Sequence, residues 1–306
     1  MKTCLLILLF PLLSGRAHCA QYDATAPDFF LDYASGARAL GMGGAQAAST
    51  EGPASLLWNP AALALPDRSK AAFNYVKLYE GASVSEAGIA HSMKAPFGIG
   101  LSAIHYSISG AETRDASNNL TGTFGDERTA VLAGVGYQYA EWLTLGATGK
   151  YLTRSMAGET ASAYDFDAGL LASFRRFTAG FQLRNILEAA VSREGGSDKL
   201  PRTLRLGISA RILSPLRLCA DVIANSDGTR RFAAGAEYNP IQWLAVRAGY
   251  DGNFVAFGAG LSVRDVTIDY AFIKHEIFGL SHRMSLSFSF GLSKERKRAT
   301  RYLNSI

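Results

Sequence analysis

The chain has 306 residues, enough for one large domain or two smaller ones. It is rich in glycine (31 residues) and aromatics (11%), while charged residues make up only 19%, below the usual quarter. Its formal charge of +5 is local: Ser293 to Ile306 carries Lys294, Arg296, Lys297, Arg298 and Arg301 against Glu295, so the remainder is nearly neutral and no nucleic-acid partner is expected.

The first element is a leader. Lys2 supplies a positive end, Cys4 to Leu13 an apolar core, and small residues follow from Gly15 to Ala20. That pattern is a secretory signal peptide, too short to span a bilayer as a helix, with cleavage expected between Ala17 and Ala20. Cys19 resembles a lipoprotein acceptor, but the bulk of His18 before it speaks against lipidation. After cleavage only Cys219 need remain, which leaves no internal disulfide framework. No Cys/His spacing suits a metal, and no metal or other cofactor is expected.

The next stretch, Asp28 to Pro66, has no strand rhythm. It holds GARALGMGGAQAAS, from Gly36 to Ser49, and SLLWNPAAL, from Ser55 to Leu63. Gly41, Gly43 and Gly44 disfavour a long helix and leave little bulk, so the backbone can pack closely against a neighbour. No strand and helix frame these glycines, so a dinucleotide-binding reading is not supported. Asn59-Pro60 demands a turn, yet Leu56, Leu57 and Trp58 beside it demand burial.

From about Lys70 a period-two alternation takes over, in about fourteen runs of roughly ten residues. Met284, Leu286, Phe288, Phe290 and Leu292 alternate with Ser285, Ser287, Ser289 and Gly291. Leu204, Leu206, Ile208, Ala210 and Ile212 alternate with Arg205, Gly207, Ser209 and Arg211. The runs begin near positions 70, 84, 97, 127, 142, 162, 177, 202, 216, 230, 243, 254, 266 and 283. Connections after even-numbered runs are short, as at Ala140, Arg175, Ser214 and Arg264. Several after odd-numbered runs are long, the clearest being Ser109 to Asp126, Ser155 to Ala161, Asn185 to Lys199 and Lys274 to Ser281. This asymmetry, the leader and aromatics near run ends (Tyr137, Trp142, Trp243 and Tyr250 among them) favour a closed outer-membrane barrel over a soluble sandwich. The register points Lys150, Asp167, Arg205, Arg211, Arg217, Asp221, Glu237, Arg247 and Asp269 into the lumen. Mixed signs predict pairing across strands rather than a wide ion-selective pore.

Two needs of the pre-barrel segment, a turn and burial, are met together if it folds into the lumen as a hatch. The residues that carry this reading also carry a resemblance. Gly36, Ala37, Arg38, Leu40, Gly41, Met42, Gly43, Gly44 and Ala45, then Trp58, Asn59, Pro60, Ala61 and Leu63, resemble the N-terminal signature of the PorV/PorQ family of FadL-like outer-membrane proteins. The resemblance implies a fourteen-stranded barrel with a hatch carrying an Asn-Pro-Ala element.

The expected layout is a signal peptide over 1–20, a hatch over 21–68, an all-β closed antiparallel barrel over 69–292 and a basic tail over 293–306. The tail reads as a solvated end. Two functions follow from the resemblance: uptake of hydrophobic small molecules, or an outer-membrane role in type IX secretion. A third reading is a scaffold whose plug stays shut. The candidate hatch residues are Gly41, Gly43, Gly44, Trp58, Asn59, Pro60 and Ala61. Expected partners are outer-membrane lipid, with hydrophobic ligands or secreted and periplasmic proteins, around a monomeric barrel in the bacterial outer membrane. His91, His105, His275 and His282 form no Ser-His-acid pattern, so no enzyme is expected.

Overall fold

A computed structural model describes residues 28–291, apart from 35, 66–67, 79–80, 94–95, 157, 194–195 and 276–278. The leader and the basic tail lie outside the described residues, as does Tyr79.

Fourteen strands close into one antiparallel barrel. They are β1 (Ser69–Lys77), β2 (Ser83–Ser92), β3 (Phe97–Arg114), β4 (Leu120–Ala140), β5 (Leu143–Met156), β6 (Glu159–Phe174) and β7 (Phe177–Arg184). After a small hairpin come β10 (Thr203–Leu213), β11 (Leu216–Asn225), β12 (Arg230–Ile241), β13 (Leu244–Tyr250), β14 (Val255–Val263), β15 (Val266–His275) and β16 (Gly279–Phe290). The hairpin pairs β8 (Ala190–Arg193) with β9 (Gly196–Lys199), outside the barrel sheet. Each barrel strand pairs with its chain neighbour, β7 pairs with β10, and β1 closes the circle on β16 from Ser69↔Phe290 to Val76↔Arg283. Closure is what a bilayer demands, because no unpaired strand edge can face hydrocarbon.

The alternation predicted from sequence is the wall's two faces. Leu101, Phe166, Ile208, Leu261 and Ile268 are exposed on the outside, where a bilayer would cover them. Lys150, Asp167, Arg205, Asp221, Glu237, Arg247 and Asp269 are buried on the inside. Tyr139, Trp142, Phe174, Phe177, Tyr238 and Trp243 stand exposed at strand ends beside the short turns, where an interfacial girdle belongs.

Two expected loops are replaced by strand. Ser109 to Asp126 is not a free loop: β3 runs on to Arg114, β4 starts at Leu120, and Asp115 to Asn119 make a tight turn. Its alternation is weak because most of its described residues are exposed on both faces. The 21 residues of β4 far exceed the ~10 needed to cross a membrane. Asn185 to Lys199 contains the β8–β9 hairpin, which four-residue strands could not signal by periodicity. Two further connections are tighter than expected, since β5 ends at Met156 and β6 begins at Glu159, while β15 reaches His275 and β16 begins at Gly279.

A wall of fourteen strands encloses more space than its own side chains fill. Residues 28–65 fill it with short elements: α1 (Phe29–Tyr33), α2 (Ala37–Gly41), a 3-10 turn at Gly52–Ala54, α3 (Ser55–Trp58) and a second 3-10 turn at Pro60–Ala64. Glycines and Asn59-Pro60 keep the helices short. Phe30, Leu31, Leu56 and Leu63 are almost wholly buried in the largest apolar cluster among the described residues, which lies inside the barrel around this hatch, and Met42 is buried in a second cluster with Cys219, Ile223 and Ala233.

The hatch seats so deeply because the wall is stripped of side chains where its backbone touches. A Cβ on Gly249 of β13 would fall 2.1 Å from the Gly43 amide nitrogen, and one on Gly235 of β12 would fall 2.4 Å from the Met42 carbonyl oxygen. Gly43 itself has φ +62 and lies against the Tyr250 backbone, so both its conformation and its neighbour require glycine. Gly249→Leu is therefore expected to leave the strand ladder intact and displace the Met42–Ala45 turn. The check is limited proteolysis in detergent beside heat-modified gel migration, and equal protection of the hatch in both proteins would contradict it.

Candidate functional site

The candidate site is the seam between hatch and wall. Its centre is Asn59, fully buried at 0% exposure. Its side-chain oxygen accepts from the Ala61 amide at 3.2 Å and so caps the Pro60–Ala64 turn, with Pro60 at the first position where no donor is needed. The Asn59 Nδ2 donates to Ala47 O at 2.7 Å, Leu170 O at 3.1 Å and Phe181 O at 3.3 Å. One amide thus ties two parts of the hatch to each other and to β6 and β7. Gly169 of β6 makes the approach possible, since a Cβ there would lie 2.1 Å from Asn59 Oδ1. Gly146 of β5 does the same for Pro60 and Ala61, and Gly180 of β7 for Ala47.

Around this point the inward charges reach the hatch. Asp221 of β11 accepts from the Gln46 and Ala47 amides at 2.8 and 2.9 Å. Arg205 of β10 donates to Gly44 O at 2.8 Å, lies 4.4 Å over the Trp58 ring and pairs with Asp221 at 3.5 Å. Gly44 is placed against the same Trp58 ring, where a Cβ would come within 3.2 Å. Arg38 forms a two-pronged contact with Glu237 of β12 at 2.9 and 3.1 Å. Glu237 also accepts from Arg247 of β13 at 2.8 Å, and Arg247 reaches Asp269 of β15 at 2.6 Å. Gly41 packs against Gly258 of β14 nearby.

At the long-loop end, Arg184 donates to Asp32 and Asp28 at 2.7 and 2.8 Å. Lys150 pairs with Asp167 at 2.6 Å and also donates to Asn185, whose amide group reaches Asp28. The lumen charges therefore form networks, with pairing across strands as mixed signs require. Arg211 and Arg217 line a cavity at the short-turn end, where Arg217 still reaches Glu237 at 3.5 Å.

Electrostatics sets the charge state of the hatch. Burial pushes the Asp32 carboxyl up, but Arg184 and Arg231 outweigh it and hold the group below the ordinary range. Burial opposes the charge on Arg38, yet Glu237 and Glu51 raise its pKa above the usual value. Lys70, followed by Arg38, holds Glu51 down at about 2. Glu51 lies 3.1 Å from Lys70 of β1 and 3.8 Å from Arg38.

Sequence reading missed several of these residues. Gln182, whose amide donates to Leu57 O at 2.7 Å, is one inward polar position among many. Asp28, Asp32 and Asn185 lie outside the strand rhythm altogether. Glycines at inward positions of successive strands were the available signal, because a polar barrel face has no other reason to shed side chains so often.

No protein-family model matches the chain, and no curated protein matches it either. Solved structures do match in fold. The Pseudomonas putida toluene transporter TodX superposes with a TM-score of 0.61 at 15% identity, over 83% of this chain and 97% of that one. A FadL homologue of Pseudomonas aeruginosa superposes with a TM-score of 0.59 at 12% identity, over 83% and 98%. The chain has the FadL-type barrel fold.

Asn59→Ala removes a fully buried cap and its wall contacts, which should cost about 2 kcal/mol, the scale of a buried group left without its partner. A lower unfolding midpoint for the variant in detergent is the expected result, and an unchanged midpoint would contradict it. Glu51 gives a pH prediction. Its folded pKa of about 2 is depressed, so its stabilising contact is complete above the unfolded value near 4.5 and is lost as pH falls from there towards 2. Wild type should lose more thermal stability across that window than Glu51→Gln, and parallel pH curves would contradict the assignment.

Proposed function

We propose that this chain admits small hydrophobic molecules across the bacterial outer membrane, with the hatch as its valve. The observation that carries the reading is a hatch seated across the lumen of a barrel whose fold matches that of the solved toluene transporter TodX over almost the whole length of that chain. Two features of the chain support it. The hatch is held by ion pairs and hydrogen bonds, which can exchange for water or for one another. At its outer end the partly exposed Phe29 and Tyr33 pack with the buried Phe30 and Tyr106 of β3, an aromatic cluster suited to apolar molecules arriving from the long-loop side. Phe29 meets Tyr106 edge-on at 5.2 Å, and Arg128 lies 4.8 Å over the Phe29 ring.

Passage requires the hatch to yield. The space beside Trp58, Leu40 and Phe254 is about 20 Å³, too small for a ligand. The expected pattern is ligand capture at the outer cluster, loosening of the Arg38–Glu237 and Arg184–Asp32 contacts, and release past Trp58 and Asn59. No covalent step is involved, so the reading is of a channel rather than an enzyme.

A second reading rests on the hatch signature itself. Gly36 to Ala45 together with Trp58 to Leu63 resemble the PorV/PorQ proteins, which would make this chain an outer-membrane component of type IX secretion. Cells expressing the chain should take up radiolabelled toluene or oleate several-fold faster than cells with empty vector. Arg38→Ala should alter that rate. Equal uptake with and without the chain would overturn the transport reading. Recovery of stoichiometric secreted proteins with the detergent-purified chain, and no bound hydrophobe, would favour the second.

A further inference from the structure

The short-turn end of the barrel holds a cavity of about 930 Å³ beneath the hatch, the end that faces the periplasm in outer-membrane barrels. Its roof is Ala48 to Glu51 with Ala62 and Leu65, and its wall is the turn-side ends of the strands. Among the described residues, seven cations line it, Arg68, Lys70, Arg175, Arg176, Arg211, Arg217 and Arg264, against one lining carboxylate, Glu51. The remaining polar lining is hydroxyl, from residues such as Ser173, Thr178, Ser209 and Ser289.

Internal partners do not account for this charge. Glu51 is engaged by Lys70 and Arg38, Arg68 by Asp265 at 2.7 Å, and Arg217 by Glu237 at 3.5 Å. Arg175, Arg211 and Arg264 have no ion pair among the described residues. Arg211 stands directly opposite Arg217 in the β10–β11 register, a destabilising like-charge pair of which only Arg217 is met by a carboxylate, that of Glu237, among the described residues. The residues after Gly291 add five cations and one carboxylate, so that sequence supplies no net counter-charge.

Backbone conformation points the same way. Arg175 and Arg264 sit in the two-residue turns after β6 and β14 with φ of 52 and 53. Glycine or asparagine is the ordinary residue in that region, and a branched or long side chain there carries strain. Two separate turns accept that strain, and both place an arginine on the same cavity.

We propose that this vestibule is a binding site for a polyvalent oxyanion, a molecule bearing two or more phosphate or carboxylate groups. Guanidinium groups pair with such oxygens in two-pronged fashion, and the hydroxyls satisfy the remaining lone pairs. The volume suits a small molecule or a headgroup. The site is separate from the route for apolar molecules, and it stands whether or not the hatch opens.

The test is calorimetric titration of the detergent-purified full chain with tripolyphosphate, at low and high salt. Saturable binding near one per chain, weakened by salt, is expected, with at least a tenfold loss in Arg175→Gly/Arg264→Gly. Those changes relax both turns, so folding is not at stake, and Arg211→Gln gives an independent second variant. Repeating the titration in nanodiscs separates the sources. Competition by cardiolipin, which carries two phosphates, over phosphatidylcholine assigns the site to a lipid headgroup, and its absence to a soluble anion. No saturable binding, or equal binding by all the variants, would overturn the proposal, whatever the outcome of the uptake measurements.

Discussion

The structure depends on one contact: the hatch main chain lying directly against a glycine-stripped barrel wall. A closed fourteen-stranded sheet solves the hydrogen-bonding problem of the bilayer but creates a lumen too wide for its own side chains. Gly146, Gly169, Gly180, Gly235, Gly249 and Gly258 remove bulk at inward positions, and hatch backbone occupies the space. Hatch and wall are then complementary in shape at the level of main-chain atoms, which is why the hatch can be rich in glycine and alanine. Large residues such as Phe30, Leu31, Leu56, Trp58 and Leu63 fill what the close contacts leave.

Polar groups decide where along the wall that backbone sits. Shape alone would tolerate sliding, since glycine surfaces resemble one another. Asn59 fixes the lower hatch to β6 and β7, Asp221 holds two successive amides, and Arg38 locks onto Glu237. Buried charge is costly unless paired, and each network here spans hatch and wall or neighbouring strands. Removing one member leaves its partner stranded, so these residues specify one seating for the hatch more than they add net stability. The same logic makes the short-turn vestibule conspicuous. There the cations outnumber carboxylates, and two of them occupy strained turns.

Much of this was legible in the sequence. Period-two alternation located the barrel strands because the outward face is apolar and the inward face polar, and most starts agree within a few residues. It failed where that contrast disappears, in the largely exposed β3–β4 extension and in the short β8–β9 hairpin. The lumen charges were legible by parity along each strand. Their partners were not, since Arg38 and Asp32 belong to a segment without periodicity. Asn59 was legible as a turn residue, while its three carbonyl partners depend on tertiary placement. The basic vestibule was invisible, because Arg68, Arg175, Arg211 and Arg264 are far apart in sequence and meet only when the barrel closes.

The most direct measurement is hydrogen–deuterium exchange of the detergent-purified chain, read over residues 28–65. If the hatch is seated as described, the Gln46, Ala47 and Ala61 amides, each held by a buried carboxylate or amide oxygen, exchange as slowly as those of the central barrel strands. Exchange as fast as in the Asp115–Asn119 turn would contradict the seated hatch and the account of the lumen built on it.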